Sequence, residues 1–395
     1  MQLWKPGWLE KACRTVSPRF PEEQAHRAGR VSVRPHGIRI GKQGGAQMSD
    51  YAFDIAVREH TVKTSRHTTF YLEAGPASGT PVIFCHGFPE LAISWRHQLP
   101  ALASVGFRAI APDMRGYGRS TVHKSHEDYA LEHAVKDMIE LVDQLDIERA
   151  VWVGHDWGAA TVWSIASHHP ERCHGVANLC VPYGGLERGL EAMLPYVDRN
   201  VYPQDQFPAG QWEYMRFIEK NPGRTTEVWE VDPRKTFKTL YRRGDPAGHL
   251  KPTFTAFVWR DGGYYGGADE APDVDRDEWM ITESDLCAYA SAFERTGFFG
   301  ADSWYMNHKR NAAYAATAKN GGRLDLPALF LHGRYDYVCE TMTSRLAEPM
   351  RELCKNLTER VVDSAHWMTQ EQPHAVNAHL LRWIANNLPD VWPKG

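Results

Sequence analysis

Residues 154–158 read Gly-His-Asp-Trp-Gly, where the apolar run Ala150–Val153 gives way to the small, helix-forming Ala159 and Ala160. Paired glycines in this frame make a tight strand-to-helix turn, the G-x-S-x-G elbow. It lifts its central side chain above a sheet while N–H groups at the start of the next helix point into the same space. Here Asp156 stands in the serine position. A carboxylate is ionised at neutral pH and needs no general base to become a nucleophile. The same aspartate would also serve as an ordinary helix N-cap, so the elbow by itself leaves both roles open.

Three further segments bring groups that complete hydrolytic chemistry. His86-Gly87-Phe88-Pro89-Glu90 follows an apolar run, and the backbone N–H groups of Phe88 and Trp157 are the expected pair for an oxyanion hole, with Pro89 a candidate for a cis peptide. On its own this segment is only a turn punctuated by Gly and Pro. Asp336 lies beyond the run 327–333 and can orient a histidine; His366 follows the last apolar-rich run and precedes a helix. The order Asp156, Asp336, His366 is nucleophile, acid, histidine, the chain order of the Ser-acid-His hydrolases of the α/β class. A single Asp or His at a strand end is commonly structural, but three in this order at three strand ends point to catalysis.

The elements that must position these groups are legible as short apolar runs alternating with helical patterns, the signature of a mostly parallel sheet covered by helices on both faces. Strands are expected at 68–75, 81–87, 107–113, 150–156, 175–182, 327–333 and 359–366. Leu131, Ala134, Met138, Leu141, Val142 and Leu145 recur at helical spacing between the third and fourth of these. From 183 to 322 the rhythm breaks into a Trp-, Tyr- and Gly-rich stretch of helical fragments, read as a cap inserted over the end of the sheet where ligands bind in open α/β folds. The domain reading is therefore a core of 48–182 and 323–395 with the cap 183–322 between them.

The segments HGFPE, SWRHQLPAL, PDMRGYGRS and GHDWGA, together with His366, resemble the epoxide hydrolases of the α/β-hydrolase fold over about residues 50–390. The resemblance implies an aspartate nucleophile, Asp156, and two cap tyrosines that hold and protonate the epoxide oxygen. "EYMRFIEKNPG" selects Tyr214 as the first, with Tyr196 and Tyr202 as substitutes, and "SWYMN" selects Tyr305 as the second. A phenol stays neutral at pH 7 yet donates to a developing alkoxide. The implied reaction is attack on a ring carbon to give an ester of Asp156, then hydrolysis by water activated by His366 and Asp336, releasing a vicinal diol without metal or organic cofactor. Serine would give an ether that water does not readily cleave. Haloalkane dehalogenases share the nucleophile, but often carry Asn where Phe88 stands, and fluoroacetate-type relatives carry Arg in place of Trp157. Dehalogenation, or a non-catalytic ligand-binding scaffold, are the alternatives. Phe88, Trp157 and Trp95 are the expected substrate walls.

Composition bounds the rest. The 395 residues are 43% hydrophobic and 24% charged with net charge -4, an ordinary globular make-up with no broad basic face for nucleic acid or anionic lipid. No stretch reaches the roughly 18 apolar residues of a membrane span. Seven cysteines, Cys13, Cys85, Cys173, Cys180, Cys287, Cys339 and Cys354, form no C-x-x-C pair and read as reduced thiols of a cytoplasmic protein. The expected partner is a small apolar epoxide, in a detoxifying role, with a homo-oligomer compatible. Residues 1–47 carry a net charge of +6 and read as a disordered extension, or as sequence upstream of a start at Met48. Several other features are read as structural. They are the acidic loop Asp269, Glu270, Asp273, Asp275, Asp277 and Glu278, the pair His168-His169, and the carboxylates Asp113, Asp325 and Asp363.

Overall fold

The computed structural model describes residues 55–393; the extension 1–47, Cys13 and Met48 lie outside the described residues. Eight strands form one sheet: β1 (Arg58–Lys63), β2 (Thr68–Ala74), β3 (Pro81–Cys85), β4 (Arg108–Pro112), β5 (Ala150–His155), β6 (Cys173–Leu179), β7 (Leu324–Gly333) and β8 (Cys354–Val362). Their order is β1-β2-β4-β3-β5-β6-β7-β8. β2 runs antiparallel to β1 and β4, and every later pairing is parallel. This is an α/β-hydrolase sheet, with the apolar runs of β3, β5 and β6 buried because helices cover both faces.

Register sets the carboxyl ends of the central strands side by side. Cys85 of β3 pairs with Gly154 of β5, and Gly154 in turn with Asn178 of β6; Leu179 pairs with Leu331 of β7, and Gly333 with Val362 of β8. The loops that follow these strands carry Phe88, Asp156, Asp336 and His366 to one edge of the sheet. The helix Leu131–Gln144 lays the anticipated stripe of Leu131, Ala134, Met138, Leu141 and Val142 inward.

The sheet departs from expectation in three places. β1 has no apolar run to announce it: it is an edge strand whose side chains are exposed or half-exposed, held by its ladder to β2. β6 stops at Leu179 rather than at Pro182 because Cys180 takes φ 69° and turns the chain out of the sheet. β8 starts at Cys354 and ends at Val362, not at 359–366. The Ser364 N–H bonds back to the Val362 carbonyl at 2.9 Å, so His366 rides on a turn instead of a strand.

Between β6 and β7 the described residues contain helices and no strand, among them Glu213–Lys220, Arg224–Glu230, Pro233–Leu240, Glu283–Thr296 and His308–Ala315. The Tyr183 hydroxyl donates to the Gly322 carbonyl at 2.8 Å, joining the two ends of this segment at its base. From Ile55 onward the chain is one compact unit. No helix among the described residues is long and apolar enough to cross a membrane. Cys85, Cys173, Cys180, Cys339 and Cys354 are free, buried thiols; Cys287 is not free, which corrects the reading of all seven cysteines as reduced thiols.

Candidate active site

Asp156 joins β5 to the helix Trp157–His168 with φ 52° and ψ -124°, a conformation that L side chains resist. Its side chain makes no capping bond to that helix, so the N-cap role does not account for it. The turn closes because two neighbours lack a β-carbon. One built on Gly158 would lie 2.0 Å from the Cys85 carbonyl oxygen, and one on Gly87 would lie 2.4 Å from Cβ of Asp156. With those contacts permitted, the Phe88 N–H donates to Asp156 Oδ1 at 2.7 Å. The Phe88–Pro89 peptide is cis.

His366 stands on the other side of the carboxylate. Its Nε2 is 3.5 Å from Asp156 Oδ2, and its Nδ1 is bonded to Asp336 Oδ2 at 2.8 Å. The second Asp336 oxygen accepts the N–H groups of Val338 and Cys339 at 3.1 and 3.0 Å, which fixes the acid on its own turn. Burial alone would lower the His366 pKa, but the charge of Asp336 and hydrogen bonds to Asp156 and Asp336 raise it well above the ordinary value. Burial likewise works against an ionised Asp336, yet the charge of His366 and its hydrogen bond, aided by the N–H donors, keep that carboxyl below the usual range.

Tyr214, on the helix Glu213–Lys220, and Tyr305 meet with ring centroids 5.6 Å apart at 72°. Phe88 and Trp157 each pack edge-on against Tyr305, at 5.0 and 5.3 Å. Burial raises both phenols well above their ordinary value, with the Asp156 charge adding to it, so both hydroxyls keep their protons. The substitutes for Tyr214 are engaged elsewhere: Tyr202 Oη accepts the Thr253 N–H at 3.3 Å, and the Tyr196 ring lies 5.9 Å from the Arg345 guanidinium. Trp95 is buried against Phe84 of β3 at 5.0 Å and makes no ring contact with the tyrosine pair.

A second charged relay, Glu90 and His155, has no counterpart in the sequence reading. His155 Nδ1 is bonded to Glu90 Oε2 at 2.7 Å and its Nε2 to the backbone carbonyl of His366 at 2.8 Å, while Glu90 Oε2 also accepts the Gly87 N–H at 3.0 Å. Both residues are fully buried. Burial opposes each charge, but their mutual attraction prevails: Glu90 falls to about 2 and His155 rises to about 10. One ion pair thus ties the Phe88 loop, the elbow strand and the His366 turn together. The available signal is position alone, Glu90 closing HGFPE and His155 preceding Asp156.

The remaining polar features have structural partners. Asp113 accepts N–H groups of Ala92 and Arg119 at 2.8 and 2.9 Å, Asp363 pairs with Arg334, and Asp325 with Lys355. In the acidic loop Asp269 pairs with Arg224, Glu270 with Lys235, Asp273 with Lys238 and Asp277 with Arg243. Two sets around His366 bring metal-type ligand atoms within 4.8 Å of one another, His155 with Cys180 and Asp336 with Cys339. The imidazoles in both sets are already committed to the hydrogen bonds described above.

Comparison with known proteins identifies the fold family and the relatives of this chain. Residues 80–373 match the family model described as alpha/beta hydrolase fold. The chain is 35% identical over 344 residues to epoxide hydrolase A of Mycobacterium tuberculosis, covering 83% of this chain and 98% of that protein. It is 33% identical over 318 residues to bifunctional epoxide hydrolase 2 of Sus scrofa, where it spans 80% of this chain but only 52% of the longer protein. The crystal structure of epoxide hydrolase A from Mycobacterium thermoresistibile superposes with a TM-score of 0.67 at 32% identity, covering 84% of this chain and 98% of that one. A Vigna radiata epoxide hydrolase mutant gives 0.66 at 30%, covering 84% and 99%.

Removing one member of a buried ion pair leaves the other charge uncompensated, so Glu90→Gln is expected to lower unfolding stability by about 3–5 kcal/mol in urea titrations. The wild-type advantage should be fullest between the ordinary pKa values of 4.5 for Glu90 and 6.5 for His155. It should shrink as pH rises toward about 10, where His155 loses its proton, and as pH falls toward about 2, where Glu90 gains one. A gap that widens above pH 7 contradicts the pairing.

Proposed function

Because the chain belongs to the epoxide hydrolases of the alpha/beta hydrolase fold, we propose that it opens an epoxide to a vicinal diol through a covalent ester on Asp156. The observation that carries this reading is the carboxylate itself, held by the Phe88 N–H on one oxygen and faced by His366 on the other, near a pair of protonated tyrosines. In this reading core residues 48–182 and 323–395 supply the triad, and the cap 183–322 supplies the tyrosines.

Oδ1 is engaged by Phe88, which leaves Oδ2 to attack a ring carbon. As the carbon–oxygen bond of the ring breaks, Tyr214 and Tyr305 donate to the departing oxygen, and one of them passes it a proton. In the second step His366 takes a proton from water while the hydroxide attacks the Asp156 carboxyl carbon. Negative charge develops on Oδ1, where the Phe88 and Trp157 N–H groups stabilise it. Collapse breaks the bond between the carboxyl carbon and Oδ2; Oδ2 leaves with the diol, protonated by the imidazolium, and the carboxylic acid proton left on Asp156 returns to His366, restoring the resting pair.

The histidine is not a free base in the resting site, because two carboxylates hold its proton. Esterification removes the charge on Asp156 and with it one of those two holds. The imidazolium proton then passes, by way of solvent, to the tyrosinate left by ring opening, so the base is released only after the nucleophile has reacted.

The walls Phe88, Trp157 and Tyr305 support an apolar substrate. The five free, buried thiols support a reducing, cytoplasmic setting and a detoxifying role within it. Dehalogenation is not favoured: a tyrosine pair has its use at an epoxide oxygen, and Phe88 offers no side-chain donor to a halide.

A panel of epoxides and haloalkanes tests the assignment. Asp156→Ala is expected to lose at least about 10³-fold in turnover, and Tyr305→Phe about 10²-fold. His366→Gln should accumulate an ester detectable by intact-protein mass. Halide release without diol formation overturns the reading. Rapid-quench measurements should also show ester hydrolysis rising with pH through a pKa lower than that of His366 in the free enzyme, followed by NMR; an equal or higher value contradicts release of the base by esterification.

A further inference from the structure

Two buried hydrogen-bond donors, one on Trp157 against Tyr305 and one on His308 against Trp157, find no acceptor among the described residues. Trp157 Nε1 is completely buried and unpartnered, although its ring packs edge-on against Tyr305 at 5.3 Å. His308 opens the helix His308–Ala315, its ring centroid 6.4 Å from that of Trp157 and the planes 31° apart. The Leu190 N–H reaches His308 Nδ1 at 3.3 Å. A backbone N–H can only donate, so Nδ1 carries no proton and the neutral ring carries its hydrogen on Nε2. That Nε2 is also buried and unpartnered.

The ring is neutral at physiological pH, since burial lowers the His308 pKa to about 4 against a smaller opposing pull from Glu219. A buried donor without an acceptor is costly, so each of these calls for an oxygen, from water or from what binds beside Tyr305. Both donors are uncharged and Trp157 directly follows Asp156, so an anionic arm would meet the Asp156 carboxylate with no added cation to offset it, whereas a neutral oxygen accepts both hydrogens without that repulsion.

We propose that Trp157 Nε1–H and His308 Nε2–H form a polar subsite for a neutral oxygen acceptor, an ether, hydroxyl or carbonyl, on the arm of the epoxide substrate. This rests on the epoxide-hydrolase reading and refines it: the preferred substrates are oxygenated epoxides, their ring under Tyr214 and Tyr305 and their acceptor beyond Tyr305. Trp157 then has two separate duties, its backbone N–H at the Asp156 oxyanion and its indole N–H at the substrate arm. An arm that is pure hydrocarbon leaves both side-chain donors unpaired.

The test compares a terminal epoxyoctane with analogues in which one chain methylene is replaced by an ether oxygen, scanned along the arm. For the wild type, at least one ether analogue should exceed the hydrocarbon in kcat/KM by about tenfold, the value of one well-paired buried hydrogen bond. That ratio should fall about tenfold in His308→Leu and in Trp157→Phe, which keeps the backbone N–H, and should be largely retained in His308→Gln, which keeps a donor. The inference is overturned if no ether analogue exceeds the hydrocarbon by more than twofold in the wild type, a measurement that needs no variant to fold, or if the ratio is the same in His308→Leu as in wild type. Failure of the wild type to hydrolyse either compound would instead overturn the parent reading.

Discussion

The site depends on one strained residue. Asp156 must project above the sheet from φ 52° and ψ -124°, a conformation that costs a non-glycine residue on the order of 1–3 kcal/mol and persists only where its surroundings over-determine it. Those surroundings are specific. Gly158 lets the helix start against the Cys85 carbonyl, Gly87 lets the neighbouring loop pass over the Asp156 side chain, and the Phe88 N–H then bonds the carboxylate. The sheet register that pairs Cys85 with Gly154 brings all three together.

Electrostatics at the site divides between two buried His–carboxylate pairs with different tasks. Glu90 and His155 are sealed from solvent, and their hydrogen bonds end on the Gly87 N–H and the His366 carbonyl, so their charge state is spent on geometry. Asp336 and His366 face Asp156, so in the proposed reaction their charge state changes as Asp156 is esterified. His366 sits on a turn and is held at both backbone and ring: Glu90–His155 anchors the one and Asp336 the other. The tyrosines complete the logic because burial keeps them protonated beside a carboxylate that must stay ionised.

The strands that build the site were legible because they are apolar on both faces, and the meeting of Asp156, Asp336 and His366 because they follow strand ends in a definite order. What escaped the sequence did so for physical reasons. β1 is a polar edge held by backbone bonds, which leave no pattern of side chains. The end of β8 is set by a turn at Val362–Ser364 and not by hydrophobicity, so the apolar stretch overran it. Glu90 and His155 lie 65 positions apart and become partners only through the pairing of β3 with β5. His308 gave no sign at all, since its tautomer is decided by the Leu190 N–H, a contact made across the segment between β6 and β7.

The central claim is that the water-derived oxygen first enters the protein and not the product. A single turnover in oxygen-18 water with enzyme in excess, followed by mass analysis of the diol and of the peptide containing Asp156, tests it most directly. The account predicts an unlabelled diol and one heavy oxygen in the Asp156 carboxylate; a labelled diol with an unlabelled Asp156 from the first turnover would contradict it.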